Sequence, residues 1–287
     1  MEWLNYHHLY YFWTVCSEGG FSKAAARLRI SQSAVSHQIA LLENYLGEQL
    51  MERSPRGFKL TEAGQFTFSQ ADEIFRFGND LVQYFRSGQM KSSFRIGALS
   101  GLSKNLQIKF IAPILEDQQV ELTFETGDST TLLSRLVNYQ IDAVLSDVSF
   151  PSSEAEPLMQ SEVYSETICL VIAKKNARKG SHFNDYLKSG IYLPSKSSPV
   201  SSGILEQLDL EKLSPLIKGY IDDIALLRLL ALEAHSIVAI PKIGVMRELA
   251  SGELKIIHEF KKIRQRYFLV YRKKGKRHPV LNKLLKG

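Results

Sequence analysis

With 287 residues, 44% of them hydrophobic, the chain has room for two or three domains with real cores. It carries 36 Lys and Arg against 30 Asp and Glu, a formal net charge of +6. It has no run of eighteen apolar residues and no cationic start leading into an apolar stretch, so neither a membrane span nor a secretory signal is expected. Cys16 and Cys169 both lie in apolar patterns. A disulfide between them is not expected, and a reducing cytoplasm is the expected setting.

In chain order, Asn5-Tyr6-His7-His8-Leu9-Tyr10-Tyr11-Phe12-Trp13 opens a helix. Its Leu9, Phe12, Trp13 and Cys16 recur at i, i+3, i+4 and i+7, and Gly19-Gly20 ends it. In the next segment Phe21, Ala24 and Leu28 share a face, and Ala25 and Ala26 are small enough for close helix approach. Ser31 is a natural N-cap, with Gln32 in the first turn of a third helix. At 100° per residue Val35, Ile39, Leu42 and Leu46 form the core face of that helix. Ser33, Ser36, His37, Ala40 and Asn44 form the opposite face. This outer face is short, polar and nearly uncharged, where an ordinary surface helix carries Lys–Glu pairs. Side chains of this size sit flush with a groove and hydrogen-bond to base edges or phosphates. A plain helical hairpin would show the same core pattern. The preceding helix and a following basic hairpin complete a winged helix-turn-helix. The hairpin holds Arg53, Arg56 and Lys59, with Pro55 and Gly57 shaping its tip. Cations there suit phosphates or the minor groove, although three cations in a loop also describe a solvated surface.

In this N-terminal segment the chain resembles the LysR-type transcriptional regulators. The resemblance runs through Phe21-Ser22-Lys23-Ala24-Ala25, Leu28, Ser31-Gln32-Ser33-Ala34-Val35-Ser36, Gln38-Ile39, Leu42-Glu43, Leu46-Gly47, Leu50, Arg53, Arg56 and Leu60-Thr61-Glu62-Ala63-Gly64. It implies that Gln32, Ser33, Ser36, His37 and Arg53 approach double-stranded DNA. Ser22, Ser31, Gln38, Arg56 and Lys59 stand beside them and complete the expected DNA-binding set. The family often has Pro where this chain has Ser33, and Arg where it has His37, so base preference is not carried over. The segment Asn5–Trp13 looks most like the branch that activates sodium–proton antiporter genes.

Thr61-Glu62-Ala63-Gly64 starts a long helix that reaches Ser87, with Thr61 as its N-cap. Phe66, Ile74, Phe77, Leu81 and Tyr84 occupy one side, and Phe68, Ala71, Phe75 and Val82 nearly the opposite side. Two apolar stripes on a helix of roughly 40 Å suggest burial between its own domain and a partner helix. A helix packed within a single domain is the alternative. The resemblance implies a linker helix that pairs with its mate, with Phe66, Ile74, Phe77 and Leu81 as dimerisation residues. Two-fold symmetry then gives two recognition helices and a palindromic site.

Residues 87–93 read as a polar hinge. From Phe94 strand and helix alternate. Strands are expected at 94–99, 120–125, 141–145, 167–173, 190–193, 218–221, 236–240, 254–259 and 265–271. Helices are expected at 103–116, 129–139, 201–210, 223–234, 243–250 and 279–286. This is an α/β pattern with largely parallel sheets. The resemblance implies two Rossmann-like lobes of the periplasmic-binding-protein type. Lobe I covers about 94–164 and 262–287, lobe II about 165–261, with crossovers near 164–167 and 258–263. The expected division is a winged helix-turn-helix over 1–60, a linker helix over 61–88 and an effector-binding domain over 89–287.

In such sheets ligands bind at the C-terminal ends of strands and at helix N-termini. Those places hold Ser100, Thr126, Asp128, Ser129, Ser146, Asp147, Ser198 and Asp222, the expected effector-binding set. Each also suits a plain helix cap. Asp128 and Asp147, with Asp222 or Asp223, have the oxygen chemistry to surround a cation or a cationic metabolite, as a sodium or lithium sensor would need. No GxSxG elbow, HExxH, CxxC pair or dinucleotide-binding glycine motif occurs. An enzyme is therefore not expected, and no cofactor or resident metal is implied.

Charge is unevenly spread. Residues 1–60 hold six Lys and Arg against five Asp and Glu, whereas residues 255–287 hold twelve against one. Arg272-Lys273-Lys274-Gly275-Lys276-Arg277 reads as a strand-to-helix loop, either solvated or touching phosphate on bent DNA. The expectation is a regulator, dimeric or tetrameric, on an inverted-repeat operator. RNA polymerase is its partner, and a small molecule or ion in the inter-lobe cleft is its effector. Two alternatives stay open: an α/β solute-binding or enzymatic module, and a regulator that senses thiol oxidation through Cys16 or Cys169.

Overall fold

The computed structural model describes residues 3–54, 57–87, 92–150, 158–177, 182–234, 236–273 and 279–285. Three helices and a hairpin open it. α1 (Tyr6–Glu18) begins where the Asn5 side chain accepts the His7 and His8 N–H groups at 2.9 and 3.3 Å. It stops where Gly19 turns left-handed at φ 70°. α2 (Phe21–Leu28) and α3 (Gln32–Leu46) follow. Leu9, Phe12, Val15, Ala24, Val35, Ile39, Leu42 and Leu50 close one core between them. Two expected core positions differ. Leu46 is 39% exposed, because α3 ends there, past the turns that the core covers. Ala26 faces solvent, and Ala24 and Ala25 take the close contact instead.

β1 (Met51–Ser54) and β2 (Gly57–Leu60) pair antiparallel, from Met51 opposite Leu60 to Ser54 opposite Gly57. Glu43 of α3 accepts the Leu50 and Met51 N–H groups at 2.8 and 3.2 Å, so the wing hangs on the third helix. At its other end Thr61 donates to the Gln49 carbonyl at 2.6 Å and accepts the Gly64 N–H at 2.9 Å. Thr61 thereby caps α4 (Glu62–Ser87) as expected. The first turn of α4 lies so close to the Leu50 backbone that a Cβ on Gly64 would overlap the Leu50 carbonyl. Only glycine fits there.

Along α4, Phe68 and Ala71 are buried in the N-terminal core, and Ile74 and Phe75 pack half-buried on it. Ile74 therefore belongs in part to the chain's own core, not to a bare outer stripe, because it lies only about 60° round the helix from Ala71. Phe66, Phe77 and Leu81 are 68%, 62% and 60% exposed. Val82 is exposed too, since α4 has by then passed the edge of the core. The Tyr84 side chain, hinge residues 88–91 and residues 274–277 of the basic loop lie outside the described residues.

The rest is one α/β body. β3 (Ser92–Leu99), α5 (Lys104–Leu115), β4 (Val120–Gly127), α6 (Ser129–Val137) and β5 (Ala143–Ser146) build lobe I. β6 (Leu158–Ala173) leads into lobe II. There α7 (Phe183–Ser189), β7 (Ile191–Leu193), α8 (Pro199–Leu210), β8 (Ile217–Tyr220), α9 (Ile224–Leu232), β9 (Ile237–Pro241) and α10 (Met246–Ser251) follow. β10 (Leu254–Arg272) returns to lobe I, where α11 (Pro279–Leu284) packs.

The sheet order is β4-β3-β5-β10-β6-β9-β7-β8. β3 is parallel to β4 and β5, and β7 is parallel to β8 and β9. The centre is antiparallel: β10 against β5 and β6, and β6 against β9. The largely parallel expectation thus holds in the flanks and fails in the middle. Segments 254–259 and 265–271 are one strand, and the strand expected at 167–173 extends back to Leu158. The crossovers lie inside these two long strands. Their register shifts between Phe260 and Arg264, between the part of β10 that meets β5 and the part opposite β9. α7 has no counterpart among the expected elements. Among the described residues, no helix is long and apolar enough to cross a membrane.

Replacing Gly64 by Ala is expected to cost about 1–3 kcal/mol, as overpacking against fixed backbone does. Urea unfolding of the two proteins measures it.

Candidate nucleic-acid interface and effector cleft

The outer face of α3 is built as the period predicts. Gln32, Ser33, Ser36, His37, Ala40 and Asn44 are exposed, and Gln38 is half-buried at the margin. Ser31 caps the helix by accepting the Ala34 N–H at 3.1 Å, and its hydroxyl lies 3.0 Å from that of Ser33. The Ser22 hydroxyl donates to Gln32 Oε1 at 3.1 Å, which draws the start of α2 to the start of α3. Neither helix has an acid in its first turn, nor does α1. No first-turn acid therefore offsets the partial positive charge of these helix N-termini, which suits phosphate oxygens. Lys59 is exposed on β2. The Arg53 side chain and Arg56 lie outside the described residues.

The expected effector residues stand at the C-terminal ends of β3, β4 and β5 in lobe I, and after β7 and β8 in lobe II. The Ser100 N–H donates to the Gly127 carbonyl at 3.1 Å and ties the first two loops together. Across the cleft, a Cβ on Gly101 would come within 2.9 Å of the Asp222 carbonyl, so the lobes touch there. Ser100, Thr126 and Asp222 are exposed, and Ser129 and Asp147 are half-buried. Burial raises the Asp147 carboxyl above the usual range.

Three of the eight side chains are engaged within their own loops. Ser146 is buried, and its hydroxyl both donates to the Val148 carbonyl at 2.8 Å and accepts the Val148 N–H at 3.0 Å. Asp128 caps α6 through the Thr131 N–H at 2.9 Å, and Ser198 caps α8 through the Val200 N–H at 3.2 Å. Among the described residues no three His, Cys, Asp or Glu side chains gather to hold a metal ion. Asp223 caps α9 through the Leu226 N–H at 2.8 Å, so helix capping accounts for it as for Asp128.

A second group at the lobe junction carries no signature in the sequence. Ile243 of lobe II packs among Ala98, Leu102, Leu106 and Leu145 of lobe I. Its N–H donates to Glu166 Oε2 at 2.8 Å and its carbonyl accepts from Asn105 of α5 at 2.9 Å. The Tyr267 hydroxyl donates to Glu166 Oε1 at 3.3 Å. Burial pushes the Glu166 carboxyl up to about 7, against the pull of the Ile243 N–H, the Tyr267 hydroxyl and Lys109. A lone Glu in the alternation Tyr164-Ser165-Glu166-Thr167 gives no sign of this, because its partners are 77 and 101 residues away.

These parts define a class: a winged reader of duplex DNA joined by a long helix to a two-lobed effector module. The family described as bacterial regulatory helix-turn-helix protein, lysR family, matches residues 6–65, and the LysR substrate binding domain matches residues 87–286. The chain belongs to the LysR family of transcriptional regulators. It is 24% identical over 289 residues to the transcriptional activator protein NhaR of Escherichia coli (strain K12), covering 99% of this chain and 95% of that one. It is 30% identical over 199 residues to the HTH-type transcriptional regulator BenM of Acinetobacter baylyi, covering 67% and 65%. Among solved structures, a full-length variant of OxyR from Pseudomonas aeruginosa superposes with a TM-score of 0.62 at 18% identity, over 100% and 95% of the chains. Full-length CbnR complexed with its target DNA gives 0.52 at 18%, over 98% and 97%. The family and these relatives are transcriptional regulators, not enzymes. The NhaR match, nearly full-length and to an activator, agrees with the sub-family resemblance of the opening aromatic segment.

The raised Glu166 carboxyl fixes a pH dependence. The folded chain holds this proton more tightly than the unfolded one. The stability it contributes is full below about 4.5 and falls as pH climbs through about 7. Glu166→Gln keeps an acceptor for the Ile243 N–H and removes that loss. Its melting temperature is expected to match the parent's at acid pH and exceed it by a few degrees at about pH 8, as a thermal-shift series across pH will show.

Proposed function

We propose that this regulator reads an inverted-repeat operator as a dimer or tetramer, in the cytoplasm, and that a small effector in the inter-lobe cleft governs it. The observation that carries the DNA reading is the short polar face of α3 beside helix N-termini that hold no acid. Ser22, Ser31, Gln32, Ser33, Ser36, His37 and Gln38 make the groove contacts, and Arg53, Arg56 and Lys59 of the wing take adjacent phosphates or the minor groove. Phe66, Phe77 and Leu81, with the outer edge of Ile74, pack against the same helix of a second copy. Residues 1–60, 61–88 and 89–287 serve as reader, linker and sensor.

Ser100, Thr126, Ser129, Asp147 and Asp222 form the effector-facing set, and occupancy of the cleft rearranges the subunits toward contact with RNA polymerase. The effector class is identified by thermal-shift screening of metabolites and of sodium and lithium salts at constant ionic strength. The thiol-oxidation alternative is disfavoured. Both cysteines are buried. Burial raises the Cys16 thiol and pushes that of Cys169 up to about 12, so little thiolate is present to oxidise.

Ser36→Glu places a carboxylate on the face that meets DNA. It is expected to abolish the shift of a palindromic duplex while leaving the fold and the melting temperature unchanged. Unaltered operator affinity in that variant removes α3 from the interface.

A further inference from the structure

α6 joins two regions. Its N-terminal end is capped by Asp128 and carries Ser129 of the effector-facing set. At its other end, residues 138–142 are pressed into the N-terminal unit. Tyr139 has a left-handed backbone at φ 56°, a conformation that a bulky side chain adopts only where its surroundings compel it. Its ring meets Phe68 of α4 edge-on at 5.2 Å, lies 4.2 Å from the Arg272 guanidinium, and packs on the core that holds Phe12 and Leu42. Gln140 donates to the Ser17 carbonyl, in the last turn of α1, at 2.7 Å.

Beside them is a buried knot of charge. The Asp142 side chain, 4% exposed, faces Arg95 at 3.3 Å, Arg76 of α4 at 3.4 Å and Arg272 at 3.6 Å. Asp72 of α4, 6% exposed, faces Arg95 at 3.7 Å and accepts the Trp13 indole N–H at 3.0 Å. Arg272 also donates to the Leu136 and Ile141 carbonyls at 2.5 and 2.7 Å, closing the end of α6. Burial alone would raise the Asp142 carboxyl, but Arg95, Arg76 and Arg272, together with the Arg95 N–H, hold it below the usual range.

We propose that residues 138–142 are a latch that fixes the DNA-binding unit to lobe I, and that α6 is the rod through which cleft occupancy holds or releases it. Nine residues make a rod of roughly 14 Å. Packed interfaces tend to switch between discrete arrangements and not to deform continuously, so the joint is expected to be either shut or open. Two ion pairs cross it, Arg76–Asp142 and Arg95–Asp72, with the Gln140–Ser17 bond and the Tyr139 wedge. The pairs of Asp142 with Arg95 and Arg272 stay within lobe I. The regulatory role of α6 rests on the effector reading above, whereas the latch itself needs neither DNA nor effector.

Electron–electron double resonance on the full chain tests it, with nitroxides at Lys23→Cys on α2 and Thr123→Cys on β4. Both positions are exposed, while Cys16 and Cys169 are buried and escape labelling. Dilution with unlabelled chain removes distances between copies. The parent is expected to give one narrow distance. Asp72→Asn/Arg76→Gln/Gln140→Ala removes the crossing ion pairs and the Gln140 bond, leaves an amide oxygen to accept the Trp13 N–H, and is expected to more than double the width of that distribution at unchanged helix content. Tyr139→Asn, which keeps the left-handed turn and deletes the ring, broadens it as well. Broadening in either variant supports the latch, and the parent's width in both overturns it. Because no DNA is present, a failed operator test with Ser36→Glu leaves this outcome untouched.

Discussion

An α-helix has one surface to divide, and Glu62–Ser87 divides its own three ways. Phe68 and Ala71 complete the core of the winged unit. Asp72 and Arg76 meet the charged knot of lobe I. Phe66, Phe77 and Leu81 are left on the outside. The division works only if the helix starts at a fixed height and rotation. Thr61 and Gly64 set both, one by capping the first turn and tying it to the Gln49 carbonyl, the other by letting the turn sit on the Leu50 backbone. A slip of one residue would turn every one of these side chains by about 100° and undo all three contacts together.

Several polar groups in this chain serve as joints. Glu43 hangs the wing from α3 through two backbone N–H groups. Glu166 and Asn105 hold Ile243 between the lobes from its two sides. The DNA-reading unit carries almost no net charge, and the basic surplus lies in residues 255–287. Its selectivity then has to come from donors and acceptors set at fixed positions and from the geometry between two copies, with bulk attraction contributing little. Such a reader depends on how rigidly it is mounted, which is why the contacts of Tyr139, Gln140 and Asp142 with the N-terminal unit bear on function.

Much of this was legible in the chain. Local periodicity located α1 to α4 and most of the later strands, because each of those elements buries one face and repeats its pattern. It misplaced Leu46, whose position on the wheel is apolar but whose turn lies beyond the core edge. It split β10 because Lys261, Lys262 and Arg264 interrupt the apolar pattern where the register shifts. It missed α7, a helix of seven residues, too short to show a period. In the effector set, residue type alone could not separate Asp128 and Ser198, which cap helices, from Asp147 and Asp222, which do not. Glu166 and the knot around Asp142 were invisible for a different reason. Their partners are brought together only by the crossing of β6 and β10 and by the packing of α4 on lobe I, and no local pattern encodes either.

The proposed pairing of α4 between two copies brings two polar recognition faces to one two-fold symmetric duplex. Sedimentation of the full chain with a palindromic duplex and with a duplex holding a single half-site tests it most directly. An even number of chains on the palindrome, at least two, is expected, with binding to the half-site weaker by about 10³-fold or more, the order that separates specific from non-specific contact. One chain per duplex, with the same affinity for both DNAs, would contradict it.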